Sequence, residues 1–443
     1  MADVRLLHDG SPLHATVPLP GGKHAFAHSL ACAALADEGD LQDVPDHVDA
    51  RALRDALSLV FDQVAYDSES RHLRFSAPRT ARQVTLDEQL VSRSRSLFCL
   101  IPALLTRADE VRLAGAPQGC AIGSRPHDWY VAILRQFGVQ TRYEEQTLVL
   151  TWADRRPALV EFAYPSMTGT VIAIAAAAAA PGRSVIRDAS VEPSCEEQVA
   201  CLRAMGVTVA GTLPELEITG GARCATISWR VACDRIHAVT LLTAGLLTRG
   251  AVTVTSGGPL RVPRFVEFLR RAGAQVTDQG DALTAAFPTD RGRLDPVETA
   301  AGSEPLFSSD WVPFAALLLS LRSHGKSVLS DDVFLDRFQF TDNLRSHGLR
   351  GVRLRRGDRK GRAAVIAEID GAPAGVLTGG NLGHCPDIRG SAALLLAGLA
   401  ADGPVVLEND FHLRRGYTDL PADLRRLGVT GAEALTRNEV PHA

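Results

Sequence analysis

Lysine is nearly missing from this chain. Of its 47 lysines and arginines only three are lysine, at positions 23, 326 and 360. The excess of arginine and alanine matches a GC-rich coding sequence, so a lysine kept against that background is a poor filler and a better candidate for a role. A positive surplus is missing as well. The formal net charge is −4 over 443 residues, which gives no general attraction to polyanions and argues against nucleic acid or an anionic membrane surface as partner. No apolar run approaches the roughly 20 residues of a membrane span; the longest, VIAIAAAAAA at 171–180, stops at Pro181. The chain does not open on a basic segment followed by an apolar core, so no signal peptide is expected. The eight cysteines form no CxxC pair and show no zinc-ligand spacing. His24 and His28, four apart on an expected helix, have no third ligand nearby and read as an ordinary helix face. These absences point to a cytoplasmic protein that carries neither metal nor cofactor.

What is present is an internal repeat. Leu-Arg-x-x-Gly followed by a short β-type run occurs as LRQFGVQTR (134–142), LRAMGVTVA (202–210), LRRAGAQVT (269–277), LRSHGLRGV (344–352) and LRRLGVTGA (424–432). SLVFDQVAYD (58–67) is a degenerate first copy with Asp62 in the glycine position. Each anchor reads as a helix end: glycine takes the left-handed closing conformation, and the arginine complements the negative end of the helix dipole. Upstream of each lies a second helix of small apolar residues and a short strand, as in AAAAAAPGRSVIRDA and LLLAGLAADGPVVLEND. Six βαβαββ-type units follow, grouped as two domains of three. One domain spans 22–232 and carries the Cys120 loop. The other is 1–21 plus 233–443 and carries Asp310, Arg389 and Arg415.

Several charged positions stand out against this frame. Gly21-Gly22-Lys23 before a helix presents backbone N–H groups and an ammonium to an anion, although the spacing of a Walker A loop is absent. Arg389, in CPDIRGSAALLLAGL, sits at the opening of an apolar helix, where the dipole favours acid, which points to an anionic partner. Arg415 precedes a glycine at a similar junction, and Arg337, in FLDRFQF, is a third candidate; a solvated arginine is the plainer reading of each. Asp310, in LFSSDWVPFAALLL, reads first as the N-cap of the apolar helix that follows, with a reactive carboxylate as the second reading. Cys120, in APQGCAIGSRPHDWY (116–130), lies in a loop punctuated by Pro117, Gly119, Gly123 and Pro126 rather than in an apolar run, which is unusual for a structural thiol.

Together these stretches resemble the enolpyruvyl transferases. GCAIGSRPHDWY is similar to the family's Gly-Cys-x-Ile-Gly-Ala-Arg-Pro-Val-Asp-Leu-His loop in the UDP-N-acetylglucosamine enzymes. PGGKHA is similar to Ser-Gly-Ala-Lys-Asn-Ala, FSSDWVPF to Phe-Pro-Thr-Asp-Met-Gln-Ala-Gln, FLDRF to Phe-Glu-Asn-Arg-Phe, PDIRGSAALLLAGL to Thr-Asp-Leu-Arg-Ala-Ser-Ala-Ser-Leu-Val-Leu-Ala-Gly, and HLRRGYTDL to His-Ile-Asp-Arg-Gly-Tyr. The motifs run in the family's order over nearly the whole chain; the related shikimate-phosphate enzymes share the fold but lack the cysteine loop. The resemblance implies an α/β fold, an inside-out α/β barrel of two domains with three repeats each. It implies addition of an alcohol to phosphoenolpyruvate and elimination of phosphate, with Cys120 as proton donor on a mobile lid, Asp310 at the acceptor hydroxyl, and Lys23 among the catalytic groups. It further implies that Lys23, His24, Arg125, Arg337, Arg389 and Arg415 hold phosphoenolpyruvate. For the acceptor it implies Arg95, Arg125, Pro126, His127, Asp128, Trp129, Tyr164, Ser166, Met167, Asp310 and Val333.

The acceptor side departs from the family pattern. His24 replaces an asparagine, Tyr130 a histidine, and His237 the glutamate of Asp-Arg-Ile-Glu. Tyr164-Pro165-Ser166-Met167-Thr168 stands where the family's uridine diphosphate segment reads Lys-Val-Ser-Val-Gly, so a cation is lost there. Relatives in nucleoside-antibiotic pathways act on the ribose 3′-hydroxyl of UMP. The expectation is therefore a uridine-nucleotide acceptor, UMP ahead of UDP-N-acetylglucosamine. An RNA 3′-phosphate cyclase-like protein and a non-catalytic binding module on the same scaffold are the alternatives; negative charge weighs against the first, and retention of Cys120, Asp310 and the cations against the second.

Overall fold

The computed structural model describes all residues except 1, 116–118, 125, 372–376 and 436–443. The chain divides into two units. The Lys23 unit comprises Pro20–Gly119 and Arg125–Cys233; the Asp310 unit comprises Met1–Leu19, Cys120–Ser124 and Asp234–Ala443. Residues 120–124 thus group with the Asp310 unit, whereas the sequence reading assigns Cys120 to 22–232.

In the Lys23 unit the inner helices are Lys23–Ala33, Leu97–Arg107 and Met167–Ala179. Those of the Asp310 unit are Arg235–Leu247, Val312–Arg322 and Ile388–Ala397. All but Lys23–Ala33, which also carries two histidines and a serine, are built mainly from alanine, leucine, isoleucine and valine, and a helix apolar on every side has to be buried on every side. Ile388–Ala397 is buried at every position, including Arg389. Outer helices are amphipathic by contrast: Pro263–Arg271 buries Phe265, Val266, Phe268 and Leu269 and leaves its arginines in solvent. Among the described residues each unit carries three four-stranded sheets, and each sheet has one parallel pairing and two antiparallel ones. Helices inside and sheets outside make the inside-out α/β barrel that the resemblance implies. No helix among the described residues is long and apolar enough to cross a membrane.

The repeat anchors close helices as expected. Gly138, Gly206, Gly273, Gly348 and Gly428 all have φ between +81° and +106°, where a side chain would be strained. At each, the glycine N–H reaches the arginine carbonyl at 2.9–3.3 Å, and the next N–H reaches the leucine carbonyl at 3.0–3.2 Å, the paired bonds of a Schellman motif. The first copy differs. Its helix ends at Leu57, with no left-handed residue in the turn that follows, and Asp62 already lies inside the strand Phe61–Asp67.

The arginine of each anchor has a second job beyond the dipole. Arg203 donates to the carbonyls of Val209 and Gly211 at 3.3 and 2.7 Å, Arg270 and Arg345 to those of Val276 and Val352, and Arg425 to that of Ala432. Arg135 reaches the Thr141 hydroxyl at 2.8 Å. The side chain ties the helix end to the strand that follows it. Arg203→Ala is expected to lower stability by about 1 kcal/mol, read as a lower urea midpoint at unchanged m-value.

Candidate active site

The N-terminal ends of the inner helices carry most of the residues singled out in the sequence. In the Asp310 unit the centre is Arg337, 1 % exposed. Its Nη1 donates to both carboxylate oxygens of Asp387 at 3.0 Å, its Nη2 to Asp310 Oδ1 at 2.8 Å, and its Nε to the Ser309 hydroxyl at 3.2 Å. Burial disfavours its charge, but the carboxylates of Asp387, Asp310 and Asp331 outweigh that and push its pKa above the ordinary arginine value. The plainer reading of Arg337 as a solvated arginine is therefore overturned.

Asp387 caps the helix Ile388–Ala397 and accepts from the N–H groups of Arg389 and Gly390. That turn presents Arg389, whose Nε lies 3.9 Å from Asp310 Oδ2. Its guanidinium also sits 5.5 Å from the Tyr417 ring. Burial works against its charge, and Tyr417, Asp310 and Asp234 raise its pKa regardless. The anionic partner expected for a cation at a helix opening is thus Asp310. Asp310 itself is not a cap: the cap of the short 3-10 turn Ser309–Trp311 is Ser308, and the Asp310 side chain turns to Arg337 instead. Its side chain is 21 % exposed. Arg415 lies in the last turn of the short helix Phe411–Gly416 rather than at a helix opening, buried and 5.9 Å from the Phe411 ring; there the dipole favours a cation.

Cys120 is partly exposed, while the other cysteines except Cys233 are buried. Its sulfur accepts from the backbone N–H of Ile388 at 3.4 Å, the first residue of the helix that carries Arg389. The positive end of that helix favours negative charge on sulfur. Cys385, three residues before Ile388, is buried and its thiol is pushed up to about 12 by that burial. Val333 is held in a turn, its N–H 2.8 Å from Asp331 Oδ1. Burial raises the Asp331 carboxyl against the pull of Arg337 and Ser309.

In the Lys23 unit Lys23 is the first residue of its helix and is buried; its Nζ lies 2.6 Å from Asp49 Oδ2, itself buried. Gly21 permits the entry: a Cβ there would meet the Asp43 carbonyl oxygen at 1.8 Å. His24 is half-buried and stacks on His28 at 5.9 Å. Burial, helped by His24, pulls His28 down to about 3. No group of three metal-ligating side chains occurs among the described residues. Arg95 donates to the Pro126 carbonyl at 2.9 Å and lies 5.2 Å from the Tyr130 ring. His127 meets the Tyr143 hydroxyl at 3.2 Å and stacks on Phe98. Asp128 opens the helix Asp128–Gln136. Trp129, 54 % exposed, meets Tyr164 edge-on at 6.5 Å. Ser166 caps the helix that begins at Met167, accepting from Gly169. Arg125 lies outside the described residues.

Sequence reasoning passed over Asp49, Asp387, Ser309 and Tyr417. An aspartate directly before an apolar helix is a cap signal that singles out Asp387. Nothing in the spacing links Lys23 to a carboxylate 26 positions away.

Residues 7–424 match the family model of EPSP synthase (3-phosphoshikimate 1-carboxyvinyltransferase). The chain is 31% identical over 427 residues to UDP-N-acetylglucosamine 1-carboxyvinyltransferase 1 of Symbiobacterium thermophilum, covering 95% of this chain and 93% of that protein. It is likewise 31% identical over 439 residues to the UDP-N-acetylglucosamine 1-carboxyvinyltransferase of Mycolicibacterium paratuberculosis, covering 98% and 99%. Among solved structures, the enolpyruvyl transferase NikO from Streptomyces tendae superposes with a TM-score of 0.81 at 25% identity, covering 98% of this chain and all of the other. EPSP synthase from Acinetobacter baumannii does so at 0.70 and 17% identity, a likeness of fold. The chain belongs to the EPSP synthase family and is an enolpyruvyl transferase.

Proposed function

We propose that the protein transfers the enolpyruvyl group of phosphoenolpyruvate to a ribose hydroxyl of UMP. The acceptor oxygen bonds to C2 of phosphoenolpyruvate as its proton passes to Asp310, and Cys120 protonates the C3 methylene. The tetrahedral adduct then loses phosphate from C2 and a proton from C3 to leave the enol ether. Proton transfers of this kind contribute about 10²–10⁴-fold each. Asp310 suits the first because Arg337 orients its carboxylate while the side chain remains 21 % exposed. Lys23, His24, Arg125, Arg389 and Arg415 supply the charge for the phosphate and carboxylate of phosphoenolpyruvate, in charge-assisted bonds that orient as well as bind, while Arg337, its nitrogens engaged by Asp387, Asp310 and Ser309, adds its charge from behind Asp310.

The observation that carries the choice of acceptor is the Trp129–Tyr164 pair. Tyr164 stands where the family's uridine diphosphate segment carries a lysine, and the exposed ring of Trp129, from the cysteine loop, meets it edge-on; a flat apolar surface suits a nucleobase better than a second phosphate. The names of the curated relatives favour a second reading, UDP-N-acetylglucosamine. Phosphate release from phosphoenolpyruvate, measured with UMP and with UDP-N-acetylglucosamine in separate reactions, decides between them. Turnover with UMP alone is expected. Turnover with the sugar nucleotide alone overturns the reading of Trp129 and Tyr164, and release with neither overturns the uridine acceptor altogether.

A further inference from the structure

We propose that Gln339 is a positioning residue for Cys120, holding the loop through the Ala121 carbonyl so that the sulfur rests on the first N–H of the helix Ile388–Ala397. Both backbone groups of Ala121 are engaged. Its N–H donates to the Pro386 carbonyl at 2.9 Å, and its carbonyl accepts from Gln339 Nε2 at 2.8 Å. One residue on, the Ile122 carbonyl accepts from the Asp336 N–H at 3.2 Å, and the Ile122 side chain is 2 % exposed. The loop is therefore gripped on two sides, by 336–339 and by 386–388, and Cys120 is the residue left between the grips.

Among these bonds the one from Gln339 is made by a side chain; the others are backbone to backbone and persist whatever residues stand there. That makes the amide the point at which sequence sets the loop. Its position in the chain matters too. Arg337, two residues earlier, holds Asp310 and Asp387, and Asp387 caps the helix whose first N–H meets the sulfur. A single turn thus registers the cysteine against the carboxylate, through Gln339 on one side and Arg337 on the other. Gln339 is half-buried at the start of the short helix Phe340–Arg345 and makes no side-chain cap there, so its amide is not spent on the helix.

The test is Gln339→Ala beside Gln339→Lys, which keeps a donor of similar reach. Iodoacetamide labelling, read cysteine by cysteine by mass spectrometry, is expected to slow at Cys120 by about three- to tenfold in the alanine variant, the worth of one amide–carbonyl bond, because the already exposed sulfur leaves the helix N-terminus that favours its reactive thiolate. Cys32, Cys99, Cys195, Cys201 and Cys385 stay protected. The kcat for phosphate release falls by a similar factor with KM for phosphoenolpyruvate unchanged, and the lysine variant recovers both. An unchanged or faster rate at Cys120, labelling that appears at the buried cysteines, or no recovery with lysine overturns the proposal. Labelling needs no acceptor, so its result is independent of which nucleotide serves.

Discussion

Arg337→Met is expected to lower the unfolding free energy by about 3–5 kcal/mol and to abolish turnover in the same variant. The guanidinium is buried among Asp387, Asp310 and Ser309, and its loss strands the fully buried Asp387 carboxylate without a counter-charge. Methionine fills comparable volume, so the loss reports charge rather than a cavity. Denaturant unfolding measures it, and a second substitution, Asp387→Asn, separates the terms. Removing the stranded charge in the double variant restores part of the stability, although the amide keeps only the capping role. Activity does not return, since Asp310 still lacks the donor that orients it. A loss below about 1 kcal/mol in the single variant would mean that the cluster is solvated and that Arg337 does not organise it.

The second large effect is on chemistry alone. Cys120→Ser is expected to reduce turnover by about 10²–10⁴-fold with stability changed by no more than about 0.5 kcal/mol. The sulfur is partly exposed and accepts one backbone N–H, a bond that a serine oxygen can replace. What serine lacks is an acidic proton to give to carbon and a stable anion to leave behind. Rapid-quench measurement of phosphate release together with a thermal melt reads both quantities. A large loss of thermal stability would instead make Cys120 a structural residue. The buried neighbour Ile122 provides the contrast, because substitutions there disturb packing and are expected to move the melt.

The six-fold repeat was legible because its signal is local: a leucine, an arginine and a glycine within five positions dictate a helix end by backbone geometry alone. Asp62 was misread for the same reason. Its helix closes without a left-handed residue, which an alignment of anchors does not reveal. Within the site, sequence alone marked Cys120 as chemically unusual and drew attention to Asp310, Arg389 and Lys23 while leaving a plainer reading open for each, and it did not show what any of them touches. Asp310 shows why. An N-cap and an arginine partner look alike until a 3-10 turn with Ser308 as its own cap sends the side chain elsewhere. Arg337 in FLDRFQF looks like a surface residue because the carboxylate that buries it, Asp387, comes 50 positions later. The Lys23–Asp49 pair is hidden likewise, since nothing short-range in PGGKHA announces a buried acid on the next helix.

The strand pairings also set a timetable for synthesis. Val4 pairs with Leu407 and Ala434, about 400 residues further on. At roughly 5–20 residues per second of translation, the strand Asp3–Leu7 waits on the order of 20–80 s for its neighbours. The strand Glu38–Gln42 waits in the same way for Thr226–Arg230. Both units are therefore sealed by segments from far along the chain, the arrangement that makes folding slow and leaves unpaired strand edges open to other chains. A nascent chain with this topology stays vulnerable to association until its last repeat has left the ribosome.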